Sequence, residues 1–322
     1  MTKKLTLNEN ASIYFNELIE NKSILKIKQI AHETGATILD AGINTQGGFE
    51  AGKYLTLLCM AGLAEASIQL ESYDTLQLPT IFTTSDYPVI ATLGSQYAGW
   101  AISKEGYFAM GSGPARILSK KPKKLYSQLG IDEKSSCAYI VLEADKIPTN
   151  FVLEYIADKC KIDIKNLFVT IAPTASIAGS TQISGRAIET AIHKLHKNGM
   201  DVKTIITANG SAPIAPIIDG DSEKMMGRTN DMLIYGSDVK LHVNYEDDNE
   251  LEEHVHNAVS SNSDAYGALF IEEVKKASGD FYKIDPNIFA PAKLTVNNTL
   301  TGKIFTAGSI NTKVILYSIQ TQ

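Results

Sequence analysis

The sequence has no apolar run long enough to cross a bilayer. Its longest, Tyr54 to Ala64, is bounded by Lys53 and Glu65. The opening MTKKLTLNEN lacks the apolar core of a signal peptide. Cysteine is scarce: Cys59, Cys137 and Cys160 are odd in number and far apart. They fit a reducing cytoplasm and suggest neither a disulfide framework nor a zinc cluster. A soluble, cytoplasmic protein is expected. Basic stripes are also missing, and the net charge is -6, so nucleic acid is a poor partner. The lysines of KKPKK (120–124) are too few to argue for a polyanion and read as a solvated loop. No G-x-S-x-G elbow, P-loop, H-E-x-x-H or C-x-x-C motif is present. Catalysis is therefore expected to be metal-free and to rest on carboxylate, arginine, hydroxyl and amide groups. No Pro/Gly/Ser-rich linker separates two halves. Residues 1–322 are expected to be one unit whose subdomains, if there are two, are tightly joined, with no internal boundary legible.

What is present suffices for a full core: 322 residues, 44% hydrophobic and 20% charged. Residues 9–22 read as an amphipathic helix, LKIKQI and ATILDAG as a hairpin around HETG, and about 49–66 as a largely apolar helix. The glycines of DAGINTQGGFEAG miss the dinucleotide-loop spacing. They mark either a tight strand-to-helix turn or an anion seat at the helix start. Strands are expected at 66–72, 79–84 and 137–143, a helix from Asp86 toward Trp100, and another at 149–160. TIITANGSAPIAPIIDGD (204–221) faintly echoes TIFTTSDYPVIATLGSQ (80–96). Arg228 to Asp231 are expected to lie just before a strand, as a capped turn or a ligand contact. His254 and His256, two apart, lack a third ligand, so a metal is not expected there. A hairpin closes the chain. Strands outnumber simple βαβ units and several neighbours look like hairpins, so an α+β architecture with mixed or antiparallel sheets is expected.

The chain is organised around residues 168–199. Phe168 to Ala172 read as a buried strand ended by Pro173, followed by a small-residue turn to Thr181 and a helix from roughly Gln182 to Lys197. Ile188, Ile192 and Leu195, with Ala187 and Ala191, make a core stripe. Gln182, Arg186, Glu189 and His193 make a polar stripe on which Arg186 and Glu189 can touch. That stripe is either a solvated face with one ion pair or a hydrolytic site. The second reading has what such a site needs, a carboxylate to activate water and a cation to orient it.

The pattern APTASI-x-GS-x-QIS-x-R-x-x-ET, Ala172 to Thr190, resembles the signature region of methenyltetrahydromethanopterin cyclohydrolases. GGFEAG (47–52), SQYAGW (95–100), FAMGSGPAR (108–116), APIAP (212–216), MGRTND (226–231), DFYKIDP (280–286) and FAPA (289–292) resemble the same family, in order and over nearly the whole chain. Tyr97 stands where some members carry lysine, so no charge contact is assigned there, and 245–264 resembles the family only loosely. The resemblance implies an α+β unit of two subdomains with a pterin cleft between them, assembled as a homotrimer, without metal or prosthetic group. It implies reversible hydrolysis of 5,10-methenyltetrahydromethanopterin to the 5-formyl form, in the one-carbon metabolism of methanogenic and related archaea and methylotrophic bacteria. The catalytic residues of the family fall on Arg186 and Glu189. Gln182, Ser95, Gln96, Ser112, Thr229, Asn230 and Asp231 are the candidate substrate contacts, tetrahydromethanopterin being carrier rather than bound cofactor. The alternatives are a cyclohydrolase acting on tetrahydrofolate and a non-catalytic pterin-binding protein.

Overall fold

A computed structural model describes residues 6–218, 220–279 and 283–321. The first five residues, and Asp280 to Tyr282 of DFYKIDP, lie outside the described residues. The strands are β1 Lys28–Ala31, β2 Thr37–Asp40, β3 Glu65–Tyr73, β4 Leu76–Ser85, β5 Trp100–Lys104, β6 Tyr107–Ser112, β7 Ala138–Glu143, β8 Leu167–Ala172, β9 Ile205–Pro213, β10 Asp238–Val243, β11 Lys293–Asn298 and β12 Ile304–Gly308. The α-helices are α1 Leu7–Glu20, α2 Phe49–Cys59, α3 Ala115–Ser119, α4 Lys123–Leu129, α5 Asn150–Cys160, α6 Ile177–Ser184, α7 Ala187–Lys197, α8 Ser222–Gly236, α9 Asp248–His256, α10 Phe270–Lys276 and α11 Thr312–Thr321. Among the described residues they build two six-stranded mixed sheets, an α+β fold. The chain divides into two compact units, 1–65 with 90–182, and 66–89 with 183–322.

The first unit holds the sheet β1-β2-β8-β7-β6-β5, in which β2, β8 and β7 run parallel and the outer pairings are antiparallel. Alternation along these strands sends side chains to two separate cores. Ile38, Ile140, Leu142, Val169 and Ile171 pack with Val152, Leu153 and Ile156 of α5. Leu39, Tyr139 and Val141 pack with Phe15 and Leu18 of α1 and Leu55 and Leu58 of α2. A sheet covered on both faces needs nearly continuous apolar strands, which is why AYIVLE and LFVTIA lack a polar face.

The second unit holds the sheet β12-β11-β10-β9-β4-β3. Here β10 and β11 are parallel, while β12 on β11, β9 on β10 and β4 on β9 are antiparallel. The strand parts of the two segments that echo each other in sequence are thus side by side, with Thr80 opposite Pro213 and Ser85 opposite Ala208.

Three expectations are corrected. The segment from Asp86 toward Trp100 is not a regular α-helix: Ile90–Gln96 is π-helical, closed by a Tyr97 N–H to Thr92 carbonyl bond of 2.9 Å, and β5 begins at Trp100. Arg228 to Asp231 do not precede a strand. They lie inside α8, because Asp221 caps the helix earlier by accepting from the Lys224 N–H at 2.9 Å. The expected single helix from Gln182 is two helices, discussed next.

Candidate active site

The signature segment begins where β8 ends. The Ser176 hydroxyl donates to the Pro173 carbonyl at 2.8 Å and accepts from the Gly179 N–H at 3.0 Å. That is an N-cap, and it starts α6 several residues before the expected Gln182. The small residues are there for contact rather than for looseness. A Cβ on Gly179 would lie 1.9 Å from the Pro173 carbonyl oxygen, and one on Gly52 would lie 2.4 Å from the Thr181 Cβ. Only glycine lets α6 fold back on the strand end and lie against α2.

Between α6 and α7 the chain breaks at Gly185 and Arg186. The Arg186 N–H donates to the Ile183 carbonyl at 3.0 Å, a tightened turn, and Arg186 sits at φ -96°, ψ 8°. Its own carbonyl then accepts from the Thr190 N–H at 2.9 Å and opens α7. Ser184 anchors the break by donating to the Pro213 carbonyl at 2.8 Å. The core stripe is as the periodicity predicts: Ile188, Ala191, Ile192 and Leu195 are wholly buried. The start of α7 rests on β9, where a Cβ on Gly210 would lie 2.7 Å from the Ile188 Cγ1 and 3.1 Å from the Ile188 N.

Arg186 is the N-cap residue of α7 and Glu189 lies in its first turn. Their side chains meet at 3.6 Å, Arg186 Nη1 to Glu189 Oε2, with only 8% and 10% of each exposed. Gln182 is buried as well. The solvated-face reading of this stripe is therefore overturned. The carboxylate is placed beside the guanidinium and in the first turn of the helix. Further along α7, burial pushes the Lys194 ammonium below the usual lysine range, partly offset by Asp285, and its Nζ donates to Asn287 Oδ1 at 2.6 Å.

Of the other candidate contacts, Ser95, Thr229, Asn230 and Asp231 are held by hydrogen bonds to protein groups, and Gln96 and Ser112 are buried. Ser95 is the penultimate residue of the π-helical stretch and donates to the Cys59 carbonyl at 2.6 Å. Gln96 is wholly buried beside it, and Ser112 is buried at the end of β6. Arg116, not singled out from sequence, is fully buried beneath this segment. It donates to the carbonyls of Ser95 at 3.0 Å and Lys121 at 3.0 Å and lies between the Tyr97 and Tyr126 rings, 5.1 and 5.5 Å from their centroids. Its only sequence signal was its place in FAMGSGPAR.

Thr229 and Asn230 bond back to helix carbonyls, Thr229 Oγ1 to Met225 at 2.8 Å and Asn230 Nδ2 to Met226 at 2.9 Å. Asp231, wholly buried, accepts from the Phe270 N–H at 2.8 Å and the Ser318 hydroxyl at 2.7 Å, so it ties α8 to α10 and α11. Arg228 adds a second tie to the same turn of α11, donating to the carbonyls of Pro216 at 2.8 Å and Ile319 at 3.1 Å.

The loop after β2 is a turn closed by its own acid. Asp40 accepts from the N–H groups of Gly42, Ile43 and Asn44 at 2.7–3.0 Å, which closes a tight turn ahead of α2. Among the described residues no group of three or more His, Cys, Asp or Glu is placed to hold a metal ion. None of their helices is long and apolar enough to cross a membrane.

Residues 6–319 match the family model described as Cyclohydrolase (MCH). A protein named methenyltetrahydromethanopterin cyclohydrolase from Methanococcoides burtonii is 45% identical over 314 residues, 98% of each chain. Proteins of the same name from Methanocaldococcus jannaschii and Methanosarcina mazei are each 43% identical, again over 98% of each chain. With the signature segment folded around a buried Arg186–Glu189 pair and the similarity running the length of the chain, this protein belongs to the methenyltetrahydromethanopterin cyclohydrolase family.

Proposed function

We propose that this protein hydrolyses 5,10-methenyltetrahydromethanopterin reversibly to 5-formyltetrahydromethanopterin, with water activated by Glu189. The observation that carries this is the buried Arg186–Glu189 pair at the start of α7. The methenyl carbon lies between two nitrogens and shares their positive charge, so it is electrophilic without a Lewis acid. What the reaction lacks in water is a positioned nucleophile. Glu189 accepts a proton as the water oxygen bonds to that carbon, giving a neutral tetrahedral adduct. The adduct collapses as the bond to the second nitrogen breaks. Glu189 returns its proton to that nitrogen, and the adduct's hydroxyl proton is lost to solvent. One proton is thus released per turnover.

Arg186 holds the carboxylate in place, keeps it ionised and stabilises oxyanion character in the adduct. Gln182, one turn before Arg186 in sequence, orients the water or the pterin. Gln96 and Ser112 are proposed as direct pterin contacts. Ser95, Thr229, Asn230 and Asp231 bear on the substrate through the segments that their bonds hold. No metal or prosthetic group is part of this proposal, and a homotrimer working in the cytoplasm is.

The test is loss of the amidinium absorbance when protein prepared without added metal meets methenyltetrahydromethanopterin, with methenyltetrahydrofolate in parallel. Rapid hydrolysis of the first alone supports the reading. Turnover of the folate alone reassigns the carrier. Binding of the pterin without turnover of either makes this a pterin-binding protein.

A further inference from the structure

The parallel strands β2, β8 and β7 end level with one another, Asp40 opposite Ile171 and Glu143 opposite Ala172. The space beyond the carboxyl ends of parallel strands is where sheets of this kind take ligands. Two carboxylates stand at this edge, and they are not equivalent. Asp40 is spent on three backbone N–H groups of its own loop. Glu143 is half-buried and accepts a single hydrogen bond, from the Thr174 hydroxyl at 2.5 Å, and forms no ion pair among the described residues. Thr174 belongs to the APTASI stretch, so the signature segment itself orients this carboxylate. One bond fixes its position and leaves most of its acceptor capacity, including all of Oε2, for something else.

We propose that Glu143 is a substrate-binding residue that recognises the aminopyrimidinone edge of the pterin. That edge presents a ring N–H and an exocyclic amino group side by side. Two adjacent donors are the natural complement of the two oxygens of one carboxylate, and a charged acceptor makes such bonds stronger than neutral ones. Glu143 therefore fixes the orientation of the head group. The assignment rests on the reading that the ligand is a pterin.

The full-length protein and its Glu143→Gln and Glu143→Ala variants are titrated calorimetrically with tetrahydromethanopterin and with its 2-deamino analogue. KM and kcat are measured with the methenyl substrate. Tetrahydromethanopterin should bind both variants about 10- to 100-fold more weakly, the range for a lost hydrogen bond to a charged group. KM should rise in step and kcat should stay within about threefold, because uniform binding is what is lost. The analogue should bind wild type already weakened, and Glu143→Gln should weaken it little further. A merely structural role would weaken both ligands alike. That result, or unchanged affinity in a Glu143→Gln variant with an unaltered thermal midpoint, overturns the assignment. Wild type that binds the pterin without turning over sinks the proposed reaction, while the titrations still decide Glu143. Wild type that binds no pterin overturns both.

Discussion

At the scale of single residues, two buried carboxylates show how differently the same group is used. Glu189 has a cation at 3.6 Å and a helix N-terminus behind it, whereas Asp231 has a backbone N–H on one oxygen and a serine hydroxyl on the other. The second arrangement is a tie between helices. Asp231→Ala should therefore lower stability by about 2–4 kcal/mol, since the Phe270 N–H and Ser318 hydroxyl lose their acceptor in the interior. Denaturant titration should show a lower midpoint with an unchanged slope. KM measured well below the transition should rise by no more than about tenfold, because Asp231 reaches the substrate only through the segments that it ties. A large rise in KM at full stability would make Asp231 a substrate contact instead. The sequence could not separate these roles. MGRTND looks like a polar turn, and only the position of the Asp221 cap puts it inside a helix whose polar side chains point into the unit.

At the scale of elements, the placement of the Arg186–Glu189 pair depends on how α7 starts. The core stripe Ile188, Ile192 and Leu195 was legible because helical period is written in the sequence. The break before α7 was not, because one glycine inside a helical pattern is common and usually tolerated. What makes it a break is tertiary: Ser184 bonds to Pro213 and the first turn of α7 lies on Gly210. Gly210→Ala would push a methyl to within 3.1 Å of the Ile188 backbone nitrogen and shift that turn. A displaced catalytic group loses rate steeply, so kcat should fall by about 10- to 100-fold, with a stability loss of about 1–3 kcal/mol. Steady-state rates and thermal melts of the variant check this, and an unchanged kcat would mean that the placement of α7 is not limiting. The loop after β2 was legible only as a choice between turn and anion seat. The Asp40 bonds close the turn at Gly42 to Asn44, and that follows from side-chain geometry that glycine spacing does not encode.

At the scale of the molecule, the α+β class was readable because strands outnumber simple βαβ units and several neighbours look like hairpins. The interleaving of the two units was not, because hydrophobic period is a local property. Strands β3 and β4 belong to the second unit although most of it lies after residue 182. A fragment of residues 183–322 would leave the β9 edge without β4, an open row of N–H and C=O groups. It should be aggregated or unfolded by size exclusion and circular dichroism, and a monomeric, cooperatively melting fragment would contradict this. The surface itself carries an acidic balance, net -6, in keeping with a small-molecule partner rather than a polyanion.

The central claim is that Glu189 activates the water. The most direct test is kcat for hydrolysis of methenyltetrahydromethanopterin by Glu189→Gln, beside wild type, with pterin affinity and thermal midpoint measured on the same samples. The amide keeps the size of the side chain and its reach toward Arg186 but cannot take the proton. The account predicts a folded variant that still binds the pterin and has lost about 10²- to 10⁴-fold in kcat. A variant that turns over at the wild-type rate would contradict it.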